Sequence, residues 1–227
     1  MKDGKEQRDM DINMIFSILG FVGGLLCCVG DLLFDLKGKG NKKLGTSGNI
    51  DSNWIKMPYW RFGTSILFAM VGDILLGLGI FSLANQIKYA NSTLAFVMAV
   101  CGYVGVIGGF FVHTVLCIQP IIYKKIMEEN NFNLADKTLE EYYKAILPPF
   151  LIAYVFLMVP SICVVIAIIA GYLAVPKWFV LLNPIVFFLI GATLRKLKNN
   201  WFYDLPGIIM PSLGLGMLGL IGIVNLI

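Results

Sequence analysis

The chain has 227 residues, 58% of them apolar and only 14% charged, with a mean hydropathy of +0.79. A soluble domain carries about 25% charged residues and less than half apolar ones, and disordered chains are poorer still in apolar side chains, so both classes are excluded. The net charge of +4 comes from 18 Lys and Arg set almost wholly between apolar runs, which excludes a clustered nucleic-acid-reading face and leaves an all-α, polytopic membrane helix bundle with the lipid bilayer as its partner.

A spanning helix needs roughly 20 mostly apolar residues. Six segments meet that length, at about 12–33, 62–83, 93–118, 146–170, 175–194 and 205–227, within a single integral membrane domain covering 1–227. Each is continuously apolar without alternation, which speaks for helices over barrel strands. The polar start, residues 1–11, lacks the cationic opening and cleavage site of a secretory signal, so the first run reads as a retained membrane helix.

Between the first two spans lies a long loop, 34–61. Its Gly/Lys/Asn-rich part, KGKGNKKLGTSGN, is expected to be flexible. Its aromatic part, with Trp54, Tyr59 and Trp60 beside Lys56 and Arg61, suits the headgroup layer. The other hydrophilic loop, 123–144, contains a short amphipathic helix, DKTLEEYYKA, capped by Asp136. The link 194–204 is short and basic, and the turn after Ala170 makes the fourth and fifth helices antiparallel neighbours. Pro184, after Asn183, and Pro211, before Ser212, are expected to break helices five and six. Five cysteines (Cys27, Cys28, Cys101, Cys117 and Cys163) lie inside apolar runs and read as packing residues.

Orientation follows from basic residues. The loops after helices one, three and five hold thirteen Lys and Arg, the opposite side five. The positive-inside rule then puts the loops in the cytoplasm and both termini outside the cell membrane.

Ionisable groups inside a bilayer are costly and mark function by default. Asp31, Asp73 and His113, the sole histidine, sit well inside the spans. In helix one, Ser17, Gly20, Gly24, Cys27 and Asp31 fall on one stripe, and in helix two Ser65, Ala69, Asp73 and Gly77 do. In helix three Gly105, Gly109, His113 and Cys117 repeat at steps of four. Small-residue stripes are the faces on which membrane helices approach, so the three ionisable groups are expected to point into the bundle. Two carboxylates and an imidazole can bind a divalent cation or hold a water for general-base attack; the sequence names neither a metal nor a cofactor. A buried Asp can equally stay neutral and hydrogen-bonded, with His113 as interhelical glue. The proline breaks near Asn183 and Ser212 mark these two as substrate-binding candidates.

The segments GDLL, GDILL and FFVHTVLCIQPIIYK, with LLNPIVFFLIG and WFYDLPGIIMPSLGLGMLGLIGI, resemble an uncharacterised bacterial family of small multi-pass membrane proteins. GDxLL followed by FxxH in the next helix is also similar to the lysoplasmalogenases, membrane hydrolases of a lysolipid vinyl-ether bond. That resemblance implies catalytic roles for Asp73 and His113. The chain departs from it in predicted span number and in carrying its second aspartate, Asp31, ahead of both. The leading expectation is therefore a hydrolase of lipids or other amphiphiles using Asp31, Asp73 and His113. The alternatives are a small-solute or ion transporter with Asp73 as coupling carboxylate, and a non-catalytic membrane subunit.

Overall fold

A computed structural model describes residues 2–196 and 205–227. Among them, six α-helices follow in order: α1 (Lys2–Asp35), α2 (Tyr59–Ile87), α3 (Ser92–Glu128), α4 (Phe132–Ile169), α5 (Pro184–Lys196) and α6 (Leu205–Asn225). The chain is an all-α bundle, and five of these helices, all but α5, are long and apolar enough to cross a membrane. The segment at 175–194 forms a 3₁₀ helix, Lys177–Leu182, followed by α5 of 13 residues. Of the basic link after it, residues 197–204 with Lys198 lie outside the described residues.

Small residues set the packing, as close approach in lipid requires. A Cβ on Gly20 would stand 2.5 Å from Gly79 Cα, and one on Gly24 would stand 2.4 Å from Gly216 Cα. These contacts press α1 against α2 on one side and α6 on the other. α3 lies on α2, α4 on α3, and α5 on α6, while α4 and α5 touch at few points.

At one end of the bundle α2 passes to α3, and the N-terminal part of α1 meets the end of α6. Here Ser17, Ser82, Gln86 and Asn225 form an uncharged network, with Ser17 Oγ 2.8 Å from Ser82 Oγ and Asn225 Nδ2 donating to Gln86 Oε1 at 2.7 Å. The turn after α4 joins it, Ala174 N donating to Asn225 Oδ1. A large apolar core, including Leu83, Met98, Val164 and Leu218, lies toward this end.

The opposite end differs from the sequence expectation in three ways. α3 and α4 have 37 and 38 residues, about 55 Å each at 1.5 Å per residue, so both run on past a hydrocarbon layer about 30 Å thick. The expected loop 123–144 shrinks to a turn between them. Asp136 lies inside α4; Asn131 caps that helix instead, accepting from Leu134 N at 3.0 Å.

Secondly, the stretch expected to be flexible is folded. Lys43–Leu44 pairs antiparallel with Ile50–Asp51, and the Asp51 carboxylate, buried beneath, accepts from Asn41 Nδ2 at 2.6 Å and faces Lys37 and Lys43 at 3.2 and 3.1 Å. Thr46 tethers the hairpin to α4 by donating to Asp136. Trp54, expected at the headgroups, is 2% exposed and stands edge-on to Tyr123. With Ile50, Phe62 and Leu139 it makes a second core above the bundle.

Thirdly, Pro211 does not break α6, which runs unbroken through it. Pro148, Pro149 and Pro160 are likewise inside α4. Membrane helices tolerate such prolines because neighbouring helices and local backbone adjustments can re-satisfy the freed carbonyls. Pro184, by contrast, does begin a helix, where its missing N–H is harmless.

Candidate functional site

Because α1, α2 and α3 meet along their small-residue stripes, the polar members of those stripes face one another. Asp31, Asp73 and His113 all line one cavity of about 590 Å³ enclosed by the six helices. His113 Nδ1 stands 3.6 Å from Asp31 Oδ1, too far for a direct hydrogen bond and close enough for a small shift or a water to join them. The side chains of His113 and Asp31 are 15% and 23% exposed, so both remain open to the cavity.

Each group is held by a partner. Ser212 Oγ donates to the other Asp31 oxygen at 2.5 Å, bringing α6 into the site. The Cys27 thiol faces Asp73 Oδ1 at 3.7 Å. On the far side of the imidazole, Nε2 lies 2.8 Å from Ser65 Oγ, and Phe34 meets the ring edge-on. Gly109, one turn before His113, has no side chain to fill the space beside Asp73; a Cβ there would lie 3.9 Å from both its carboxylate oxygens.

Ser65, His113 and Asp31 thus stand in the order hydroxyl, imidazole, carboxylate. The hydroxyl is misplaced for a nucleophile: Ser65 is fully buried, donates to Gly30 O at 2.7 Å and does not line the cavity. It positions the ring. The sequence reading placed Ser65 on the right stripe and gave it no role, because a serine on a small-residue face looks like packing.

Near the cavity mouth Asp35, one turn beyond Asp31, is clasped by Lys37 and by Arg195 of α5. In the sequence Arg195 is one of the thirteen basic residues that set topology; its reach across the mouth to α1 is not legible from spacing. Arg61 caps α1, donating to the carbonyl oxygens of Leu32, Leu33 and Leu36.

The two proposed substrate contacts separate. Ser212 lines the cavity. Asn183 does not: its Nδ2 donates to Ser161 O at 2.7 Å and its Oδ1 accepts from Ile185 N at 2.9 Å. Both ends of the amide are occupied in fastening the start of α5 to α4, so Asn183 is a helix cap.

The cavity wall is otherwise apolar and aromatic, with Phe150, Tyr154 and Leu157 of α4 opposite Phe188 of α5. Among the described residues, no group of three or more His, Cys, Asp or Glu is disposed to hold a metal ion. The arrangement offers two carboxyl groups and an imidazole at one end of a greasy chamber. Such a set can accept and return protons beside an amphiphile.

A family of unknown function (DUF6796) matches residues 1–227. The chain belongs to that family. No curated protein and no solved structure matches it. Membership agrees with the resemblance to an uncharacterised family, and carries no activity with it.

Proposed function

We propose that this family member is an intramembrane hydrolase of lipids or other amphiphiles, with Asp31, Asp73 and His113 as its catalytic groups. The observation that carries this reading is the convergence of these three side chains on one partly open cavity whose remaining walls are apolar. A water between the carboxylates and the imidazole loses its proton to one of them as it attacks. The leaving group takes a proton from another, and positioned groups of this kind contribute about 10²–10⁴-fold each. Ser212 fixes the Asp31 carboxyl, and Ser65 fixes the imidazole. The motif similarity of GDILL and FFVH to lysoplasmalogenases supports the same assignment.

The transporter alternative is less well supported. A two-sided path must pass the end of the bundle where Ser17, Ser82, Gln86 and Asn225 are tied together and the Gly20–Gly79 contact leaves no space.

In the bilayer we assign six crossings. The 3₁₀ helix and α5 together make the fifth, about 12 Å plus about 20 Å at their usual rises, sufficient for a layer about 30 Å thick. Ala174, just before this segment, bonds to the end of α6, and Arg195, near its close, reaches the end of α1. Those two ends lie on opposite faces of the bundle. With the basic loops in the cytoplasm, both termini face outside the cell membrane and the folded 36–58 segment covers the cytoplasmic face.

The test is turnover in proteoliposomes across a panel of phospholipids and lysolipids, with products read by mass spectrometry. Asp73→Asn and His113→Gln are expected to insert and fold as the parent does while losing hydrolysis. Parent-like turnover in both variants, or lowered stability with no activity to lose, overturns the catalytic assignment.

A further inference from the structure

We infer that the substrate is a bilayer-resident lipid that reaches the site sideways, its acyl chain passing between α4 and α5. This rests on the reading above that the site acts on an amphiphile, and it specifies where that amphiphile comes from.

The other adjoining helices around the cavity are closely packed. α1 meets α2 and α6 through glycines, and α3 meets α4 where a Cβ on Gly105 would fall 2.8 Å from Leu157 N. α4 and α5 are the exception, touching at few points. Along the cavity an edge-on aromatic contact, Tyr154 with Phe188, centroids 6.3 Å apart, joins them. α5 is otherwise held by α6, by the Asn183–Ser161 hydrogen bond at its start, away from the mouth, and by the Arg195–Asp35 ion pair at the mouth. The seam is therefore the least sealed part of the wall.

What lies outside the seam is lipid and not water. The outward side chains beside it are Leu151, Ile152 and Val155 of α4 and Leu189 of α5, each more than half exposed. An exposed apolar surface of this kind on a spanning helix suits the hydrocarbon of a bilayer. Two residues of α5, Phe188 and Ala192, both line the cavity and count among the exposed residues of the helix. One surface thus runs from bilayer to chamber without a polar barrier. Within, Phe150, Tyr154 and Leu157 continue it toward Asp31 and Asp73. A chain lying along this path leaves its headgroup at the mouth, beside Arg195 and Lys43, and its linkage near the carboxylates. The chamber, at about 590 Å³, is in the range of about 300–1,000 Å³ that holds a drug-sized ligand.

The experiment uses the full chain in vesicles of phosphatidylcholine bearing a diazirine on one acyl chain, with adducts mapped by peptide mass spectrometry after illumination. Leu76 and Leu157 line the chamber and are nearly fully buried, whereas Val155 faces outward and reports bilayer contact. The expected result is adducts on Leu76 or Leu157 as well as on Val155. Ala192→Trp, which fills the seam from an exposed position, should abolish the interior adducts and leave Val155 labelled. Phe188→Ala, which widens it, should raise them. An interior free of adducts in the parent, or interior yields unmoved by both variants, overturns the sideways path. Labelling needs no turnover. Its failure alone leaves a hydrolase fed from the aqueous mouth, and loss of hydrolytic activity alone leaves the lipid path intact.

Discussion

The hydroxyl of Ser65 lies 2.8 Å from Nε2 of His113 and 2.7 Å from the carbonyl oxygen of Gly30, so one atom ties the first three helices together beside the cavity. A hydroxyl carries one proton. When it donates to Gly30, Nε2 must carry the ring proton, and Nδ1 turns a lone pair toward Asp31. When it donates to Nε2, Nδ1 carries the proton and faces Asp31 as a donor. Ser65 therefore sets which face, lone pair or N–H, the neutral ring turns toward Asp31.

Removing it should act on the ring and spare the chamber. Ser65→Ala is expected to lower turnover less than His113→Gln does, the latter by about 10²–10⁴-fold. It should also alter the tautomer balance, read from the two imidazole ¹⁵N shifts of the single histidine. The lost buried hydrogen bond costs about 1 kcal/mol. An unchanged ¹⁵N spectrum would show that the hydroxyl does not set the ring.

Glycine contacts differ along the bundle, and the differences are measurable. A Cβ on Gly24 meets Gly216 Cα at 2.4 Å, backbone against backbone, whereas one on Gly63 meets nothing within 4 Å. Gly24→Leu should lower the unfolding midpoint in detergent sharply, since overpacking costs about 1–3 kcal/mol even where side chains alone must yield. Gly63→Leu should leave it nearly unchanged. Equal midpoints for the two would remove the close α1–α6 contact.

Asp51 carries the folded hairpin. It is 2% exposed and faces Lys37, Lys43 and Asn41. Removing one side of such a buried charge pair costs about 3–5 kcal/mol. Asp51→Ala should therefore open the 36–58 segment and expose Lys39 to Lys43 to trypsin, with the transmembrane helices intact. A parent-like digestion pattern would mean the hairpin is held by its apolar core alone.

Orientation has its own test. Reporter fusions at Ile227 and within the Lys37–Lys43 loop should label opposite sides of the membrane, with the loop in the cytoplasm. A cytoplasmic C-terminal fusion would reverse the assignment, or reduce the crossings to five.

Residue types and their spacing were enough to reveal the helices and the polar stripes, because a bilayer forces both: apolar length to span, small residues to pack. The same logic brought Asp31, Asp73 and His113 to notice. It failed wherever tertiary contact overrode local composition. KGKGNKKLGTSGN looks like a linker until Asp51 is buried under it. Asn183 looks like a binding residue until Ser161 O, 22 residues earlier, takes its amide. The helical extensions of α3 and α4 carry ordinary soluble-helix composition, and a hydropathy threshold ends them at the membrane edge. Pro211 misled because lipid-embedded helices tolerate proline that soluble helices do not.

The tether between Thr46 and Asp136 joins residues 90 positions apart, and this separation constrains biogenesis. The segment that covers one face is synthesised directly after α1, while two of the helices it rests on, α3 and α4, are completed only after α2. Until Tyr123 and Leu139 have left the ribosome, Trp54 and Ile50 lack the α3 and α4 side of their core, and the nascent loop waits only partly covered. Chains stalled between α2 and α4 should therefore be marked by an exposed Trp54 that chaperones and proteases can recognise. On that face of the bundle, completion of α4 is the event that ends that exposure.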